Sequence, residues 1–251
     1  MSRIVVGDAI LYSGDMFTDC FPHLGDGTID AIITDFPYGV LNKRNGWDKI
    51  IDYEKFWEQA HRVGNERTPT ISTAQQPFTS FLIGTNYADF KYALVWEKSK
   101  ATGYLNSKKQ PLRAHEDIVI FYRKQTTYNP QMVQGAPYDK GAAVRDTPAY
   151  GVQTKKVHVK NDNGLRYPRS VQYFVTAESE GKLHPTQKPV ALFEWMINTY
   201  TNPGDVVLDP CMGSGTTGVA ALRCGRKFIG CEQDTKYFKV AEERLTLETS
   251  R

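Results

Sequence analysis

The sequence predicts a doubly wound α/β domain, a mostly parallel twisted sheet with helices on both faces, interrupted by one inserted region. Three observations predict it. The apolar run Ala31-Ile32-Ile33 has the unbroken character of a parallel strand buried on both faces, and it stops at an abrupt turn, Asp35-Phe36-Pro37-Tyr38-Gly39. Strand and helix patterns alternate towards both ends of the chain. Between about 128 and 182 apolar residues thin out, and Gly, Pro, Asn, Asp and Lys replace them, as in a lobe of loops and short strands.

The elements follow in order. Strands are expected at Arg3–Val6 and Asp30–Thr34. A helix is expected over Tyr53–Val63, where Phe56, Ala60 and Val63 recur at spacings of four and three. Thr70–Thr73, Tyr92–Trp96 and Asp117–Tyr122 read as strands, and Gln76–Thr85 as a helical or irregular connection. Inside the insertion, Lys156–Lys160 alternates in polarity. Beyond it, Pro189–Tyr200 reads as a helix whose proline sits near the first turn, where a missing N–H costs nothing. Asn202-Pro203-Gly204 ends it. Val206–Leu208 and Lys227–Cys231 are strands, and Thr216–Arg223 and Thr235–Leu247 are helices. The main domain is therefore expected to comprise 1–127 and 183–251, with 128–182 inserted.

Composition narrows the function. With 251 residues, 40% hydrophobic and 24% charged, the chain is not collagen-like, disordered or a disulfide scaffold. No apolar stretch approaches the length of a membrane span, so no membrane partner is expected, and Asp8 interrupts what would be a signal-peptide core. Cys20, Cys211, Cys224 and Cys231 form neither a CxxC pair nor a zinc spacing, and none of the five histidines lies in H-E-x-x-H. A reduced cytoplasmic protein without a metal is the expectation. The net charge is only +3, but it is unevenly placed. Residues 98–169 hold fourteen Lys or Arg against five Asp or Glu, a local +9 that leaves −6 for the remainder. Such a basic stretch suits a polyanion.

The sharpest motif is Asp209-Pro210-Cys211-Met212-Gly213-Ser214-Gly215-Thr216-Thr217-Gly218. A strand runs into a carboxylate, a glycine-rich turn and a helix, and Glu232 closes the next strand. Glycines let the backbone pass close to a ligand, and a strand-end carboxylate can hold a ribose diol, so a nucleoside-containing cofactor is expected. The loop lacks the lysine of a triphosphate-binding loop. Asp209 would repel a pyrophosphate but attract an ammonium, so S-adenosylmethionine fits better than a dinucleotide. Asp35-Phe36-Pro37-Tyr38 suits chemistry on the exocyclic amine of a nucleobase. A carboxylate and a backbone carbonyl aligned on the NH₂ localise its lone pair, and a rigid aromatic stacks on the base.

Together these residues resemble the DNA amino-methyltransferases, in the circularly permuted subgroup whose catalytic D-P-P-Y motif precedes a recognition region and the cofactor motif. His184-Pro185-Thr186-Gln187-Lys188-Pro189 is similar to the family's H-P-T-x-K-P stretch. Arg113-Ala114-His115-Glu116 resembles its R-x-H-E stretch, with Glu116 expected to orient a partner from the basic segment. The resemblance implies a Rossmann-like methyltransferase fold, permuted, with a target-recognition insertion. It implies that Asp35, the Phe36 carbonyl, Pro37 and Tyr38 handle a base flipped out of duplex DNA. Asp15, Asp35, Thr186, Lys188, Asp209, Pro210, Met212, Gly213, Ser214, Gly215, Thr216 and Glu232 would surround S-adenosylmethionine. Phe36 replaces the family's usual proline. If only its carbonyl matters, Phe36→Pro is expected to preserve or improve activity.

Asp35, where cytosine enzymes of the family often have Ser, favours adenine N6 over cytosine N4. A catalytically silent DNA-binding homologue and a dehydrogenase are weaker alternatives. In the insertion Arg145, Lys155, Lys156, Asn161, Asn163, Arg166 and Arg169 are candidates for DNA contacts, because Arg suits guanine edges, Asn suits adenine and Lys suits phosphate. A homodimer and a separate restriction endonuclease are further expected partners.

Overall fold

The computed structural model describes residues 2–39, 50–143, 156–181 and 187–250. In chain order, β1 (Ser2–Val6) and β2 (Ala9–Ser13) form a hairpin, followed by β3 (Ala31–Thr34), α1 (Tyr53–Val63), β4 (Thr70–Ala74) and α2 (Phe78–Thr85). The long β5 (Phe90–Thr102) and β6 (Arg113–Phe121) come next. They are followed by four short strands, β7 (Val133–Gln134), β8 (Tyr138–Ala143), β9 (Val157–Asn161) and β10 (Leu165–Arg166). The chain ends with β11 (Val171–Phe174), α3 (Val190–Tyr200), β12 (Val206–Asp209), α4 (Thr216–Arg223), β13 (Lys227–Glu232) and α5 (Thr235–Thr249).

Nine strands form one sheet in the order β1-β2-β13-β12-β3-β4-β6-β5-β11. The run from β2 to β4 is parallel throughout, β6 is antiparallel to both its neighbours, and β11 joins β5 in parallel. Pleating divides the core. Ala31 and Ile33 of β3 pack with Leu192, Phe193, Met196 and Ile197 of α3 and with the buried residues of α4 and α5. Ile32, between them, packs on the opposite face with Phe56, Trp57 and Ala60 of α1 and with Phe78 and Leu82 of α2. The unbroken apolar run thus faces helices on both sides, as its composition predicts.

By contacts the chain divides into two compact units, one of 1–129 with 170–251 and the other of 130–169. Residues 170–181, grouped with the insertion on composition, belong to the first, because β11 hydrogen-bonds along β5 from Val171↔Val95 to Phe174↔Lys98. A four-residue strand at a sheet edge, with Val171 and Tyr173 exposed, carries too little apolar sequence to be read in advance. Strand β2 was likewise not apparent, although Leu11 and Tyr12 are buried. The smaller unit holds two short antiparallel pairs, β7 with β10 and β8 with β9. Among the described residues no helix is long and apolar enough to cross a membrane.

Candidate active site

Parallel strands aligned in register end together, and their carboxyl ends are where an open α/β sheet binds ligands. Here β3, β12 and β13 lie side by side and lead into Asp35, Asp209 and Glu232. All three line a cavity of about 820 Å³, a volume suited to a small organic ligand. Asp15, Pro210, Met212, Gly213, Ser214, Thr216, Phe36, Pro37, Tyr38 and Lys188 line it as well.

The turn after β12 is held from below. Asp209 is 2% exposed and accepts hydrogen bonds from the Thr34 hydroxyl (2.7 Å), the Cys211 N–H (3.0 Å) and the Thr217 hydroxyl. Its carboxylate therefore braces the strand end to the helix start before any ligand is considered. Glu232 accepts the Gly213 N–H at 2.9 Å and the Asp234 N–H at 2.7 Å, and the Met212 N–H donates to the Cys231 carbonyl at 2.9 Å. Gly215 has φ +79°, and its Cα faces α5 so closely that a Cβ would lie 3.0 Å from Ala241 Cβ. Only glycine meets both demands without strain. Arg244 ties the turn to α5 by donating to the Ser214 carbonyl (2.7 Å) and Thr216 Oγ1 (3.1 Å). Asp15 caps the next short helical turn by accepting the Phe17 N–H at 2.8 Å.

Electrostatics show what this end of the cavity lacks. Burial pushes Asp209 up to about 6, with the charge of Asp35 adding to the effect. Burial likewise pushes Glu232 up to about 7, helped by Asp234 and Asp209. Neither is in an ion pair among the described residues. Buried carboxyls pushed towards neutrality, hydrogen-bonded but without a cationic partner among the described residues, form an acidic nest that a cationic ligand relieves. A sulfonium carrying an α-amino group and a ribose diol fits that set. A pyrophosphate does not.

The Asp35 turn builds the other end. Phe36, its side chain 2% exposed, packs edge-on against Phe56 (centroids 4.8 Å) and Tyr53 (5.5 Å). Its ring is therefore a core anchor for the turn. The side chain thus has a packing role of its own, beside any role of its carbonyl. Asp35 Oδ1 accepts the Tyr38 hydroxyl at 3.0 Å and also the Thr73 hydroxyl, while Oδ2 pairs with Lys188 Nζ at 2.6 Å. Tyr38 stacks on Phe78 with centroids 4.7 Å apart. Burial raises its phenol well above the ordinary range, and Asp35 and Glu116 add to this, so the hydroxyl stays protonated. Glu116 binds Lys98 at 2.7 Å, in keeping with its expected partner from the basic segment, and lies 3.6 Å from Lys188.

Lys188, expected beside the cofactor, lines the cavity and bonds to Asp35 there. Thr34, Thr73 and Phe78 were not among the expected site residues, and Lys98 was counted only within the basic segment. The available signal was positional: Thr34 and Thr73 sit at the carboxyl ends of adjacent parallel strands, where hydroxyls reach the turn carboxylates. Thr186 lies outside the described residues, as do Arg145 and Lys155.

In the smaller unit, several residues expected to read DNA also make bonds within the loops. The Arg166 guanidinium donates to the Gly164 carbonyl at 3.0 Å and to the Ala136 carbonyl, and lies 4.5 Å over the Tyr138 ring. Asn161 donates to the Leu165 carbonyl at 2.7 Å, and Asn163 accepts the Leu165 N–H at 3.0 Å. Lys156 is exposed. Arg169 has partners of its own. In the larger unit, the tip between β5 and β6 presents Tyr104 (80% exposed), Leu105 (96% exposed), Lys108 and Lys109 to solvent, beside a cavity wall that includes Thr102 and Arg113.

A buried acidic nest at adjacent strand ends, next to a carboxylate–tyrosine turn, defines a ligand site of the nucleoside-cofactor kind on a doubly wound sheet. The family is shown by comparison. The family model described as DNA methylase (N6_N4_Mtase) matches residues 29–243, and the chain belongs to that family. It is 31% identical over 234 residues to the DNA adenine methyltransferase YhdJ of Escherichia coli (strain K12), covering 87% of this chain and 76% of the relative. It is 28% identical over 238 residues to the Type II methyltransferase M.HpaI of Haemophilus parainfluenzae, covering 90% and 71%. Among solved structures, M1.HpyAVI in complex with SAM superposes with TM-score 0.64 at 25% identity, covering 93% of this chain and 98% of that one. The cytosine-N4-specific PvuII DNA methyltransferase superposes with TM-score 0.65 at 15% identity, covering 98% and 93%, and shares the fold.

Proposed function

We propose that this DNA methyltransferase transfers a methyl group from S-adenosylmethionine to the exocyclic N6 amine of an adenine extruded from duplex DNA. The observation that carries the reading is the Asp35 carboxylate, fixed by Tyr38, Thr73 and Lys188 at the wall of the same cavity that holds the acidic nest. When bound, S-adenosylmethionine supplies a methyl group on a positively charged sulfur. Glu232 offers the ribose hydroxyls the lone pairs not used by Gly213 and Asp234, Asp209 and the 210–216 turn surround the methionine end, and Asp15 lies towards the adenine. Asp35 and the Phe36 carbonyl accept the two N–H bonds of the target amine and localise its lone pair. Tyr38, kept flat by Phe78, stacks on the base.

Adenine is favoured over cytosine by Asp35 at the head of the motif and by the likeness to an adenine methyltransferase. Cytosine N4 on the same scaffold is the second reading, favoured by the fold shared with a cytosine-N4 enzyme. Extrusion of the base is required because an amine inside a duplex cannot reach the cavity, and it costs a few kcal/mol. Lys108, Lys109 and the exposed lysines of the smaller unit are proposed to neutralise phosphates. The likeness to a Type II methyltransferase supports a separate restriction endonuclease as part of the proposal; a homodimeric assembly and a cytoplasmic location are proposed on the sequence alone. The test is direct. DNA incubated with the protein and methyl-labelled S-adenosylmethionine is digested to nucleosides. Label in N6-methyladenine is expected, and label only in N4-methylcytosine decides for the second reading.

A further inference from the structure

Asp35 has two oxygens, and both are engaged. Oδ1 accepts from Tyr38 and Thr73, and Oδ2 faces the Lys188 ammonium at 2.6 Å. That ammonium also lies over the Tyr38 ring, 5.4 Å from its centroid. Phe78 stacks on the same ring, with centroids 4.7 Å apart. Lys188 therefore occupies both partners that the target base needs, the carboxylate acceptor and the aromatic face.

A second acceptor waits beside it. Glu116 Oε1 is anchored by Lys98 at 2.7 Å, which leaves Oε2, 3.6 Å from Lys188 Nζ and 3.4 Å from the Tyr38 hydroxyl. A movement of roughly 1 Å brings the ammonium to the ~2.8 Å of a charge-assisted hydrogen bond with Glu116. Lys98, Glu116 and Lys188 are largely buried, so a lysine expelled from Asp35 without a new acceptor would be a stranded charge. Burial works against the charge on Lys188, but Asp35 and Glu116 outweigh it and hold its pKa above the ordinary lysine value. It remains a cation and must go to an anion.

We infer that Lys188 is a positioning residue that fills the target amine's place on Asp35 and is handed to Glu116 when the base enters, with Lys98 holding Glu116 ready to receive it. The inference rests on the amine-methylation reading above. Before base entry, the half-buried Asp35 carboxylate keeps a cationic partner. After it, Oδ2 is open to the amine N–H, and Tyr38 is open to the ring.

Rescue tests the handover. The methylated site is first read by sequencing DNA treated with the wild-type protein. A short duplex carrying that site, and a copy with 2-aminopurine at the target position, then serve as probes. Glu116→Gln removes the receiving charge, leaves Lys188 locked on Asp35, and is expected to lower the single-turnover methylation rate about tenfold with S-adenosylmethionine binding unchanged. Adding Lys188→Met to Glu116→Gln removes the obstruction and is expected to recover a severalfold share of that loss. A double variant no faster than Glu116→Gln overturns the handover. Lys188→Met alone, needing no displacement, is expected to give 2-aminopurine fluorescence at least equal to wild type. A weaker signal with cofactor binding intact also overturns it, and this measurement stands even if Glu116→Gln does not fold. Failure of the wild-type protein to methylate a DNA amine refutes the underlying reading instead, so the two failures are distinct.

Discussion

Replacing Phe36 by proline, which restores the residue usual in the resembled motif, is expected to destabilise the protein. The ring is 2% exposed and meets Phe56 and Tyr53 edge-on at 4.8 and 5.5 Å, in the cluster that joins α1 and α2 to the sheet. Truncating such a phenylalanine to alanine costs about 3–5 kcal/mol through lost burial and the cavity left behind. Each edge-to-face pair adds ~0.5–1.5 kcal/mol beyond its area. Proline keeps three ring carbons but cannot reach Phe56, so about 3 kcal/mol is expected for Phe36→Pro and about 1–2 kcal/mol for Phe36→Leu. At roughly 2–4 °C per kcal/mol for a chain of this size, Phe36→Pro lowers Tm by about 6–12 °C and Phe36→Leu by about 2–8 °C. Differential scanning calorimetry measures both. Methylation per folded molecule should survive better than stability, because each variant keeps the carbonyl. A Phe36→Pro protein melting within 2 °C of wild type, about the smallest shift one kcal/mol gives, refutes the assignment of Phe36 as a core anchor.

Four further outcomes follow from the site. Because burial holds Glu232 near 7 and Asp209 near 6, S-adenosylmethionine should bind about tenfold more tightly at pH 8 than at pH 6 and release protons, measured by calorimetry in buffers of different ionisation heat. The same raised values mean that these groups' contribution to stability is present below their unfolded range near 4 and is lost as pH rises through 6 to 7. Flat affinity across that range contradicts the acidic nest. Gly215→Ala, which forces a methyl group into α5 at φ +79°, should cost about 1–3 kcal/mol and weaken cofactor binding, both readable from melts with and without ligand. Asp35→Asn should lower single-turnover methylation by about 100-fold or more while leaving cofactor affinity within severalfold, and wild-type turnover by this variant counts against the proposed mechanism. Lys108→Ala with Lys109→Ala should weaken DNA binding uniformly and shallow the log–log salt dependence by about two, without changing the methylated site.

Much of this was legible in the chain itself. The parallel core strands announce themselves because burial on both faces demands unbroken apolar runs such as Ala31-Ile32-Ile33. The helix ends carry local signals, such as Pro189 before α3 and Asp234 before α5, where the Asp234 carboxylate accepts the Lys236 N–H at 2.8 Å. Asp35, Asp209 and Glu232 could be recognised together because a carboxylate directly after a buried strand is a local pattern with a costly environment. What the chain could not disclose is which of these groups meet. Lys188 lies 153 residues from Asp35, Thr34 lies 175 from Asp209, and Lys98 meets Glu116 across a hairpin. Periodicity and spacing report only neighbours along the backbone, whereas these partners are chosen by strand order in the sheet. Phe36 makes the same point: as a letter it is a missing proline, and only packing against α1 shows that its ring has a place in the core. The asparagines and Arg166 of the smaller unit carry side chains suited to DNA bases; their partners at Gly164 and Leu165 are near in sequence, whereas Ala136, 30 residues from Arg166, is brought to it only by the fold.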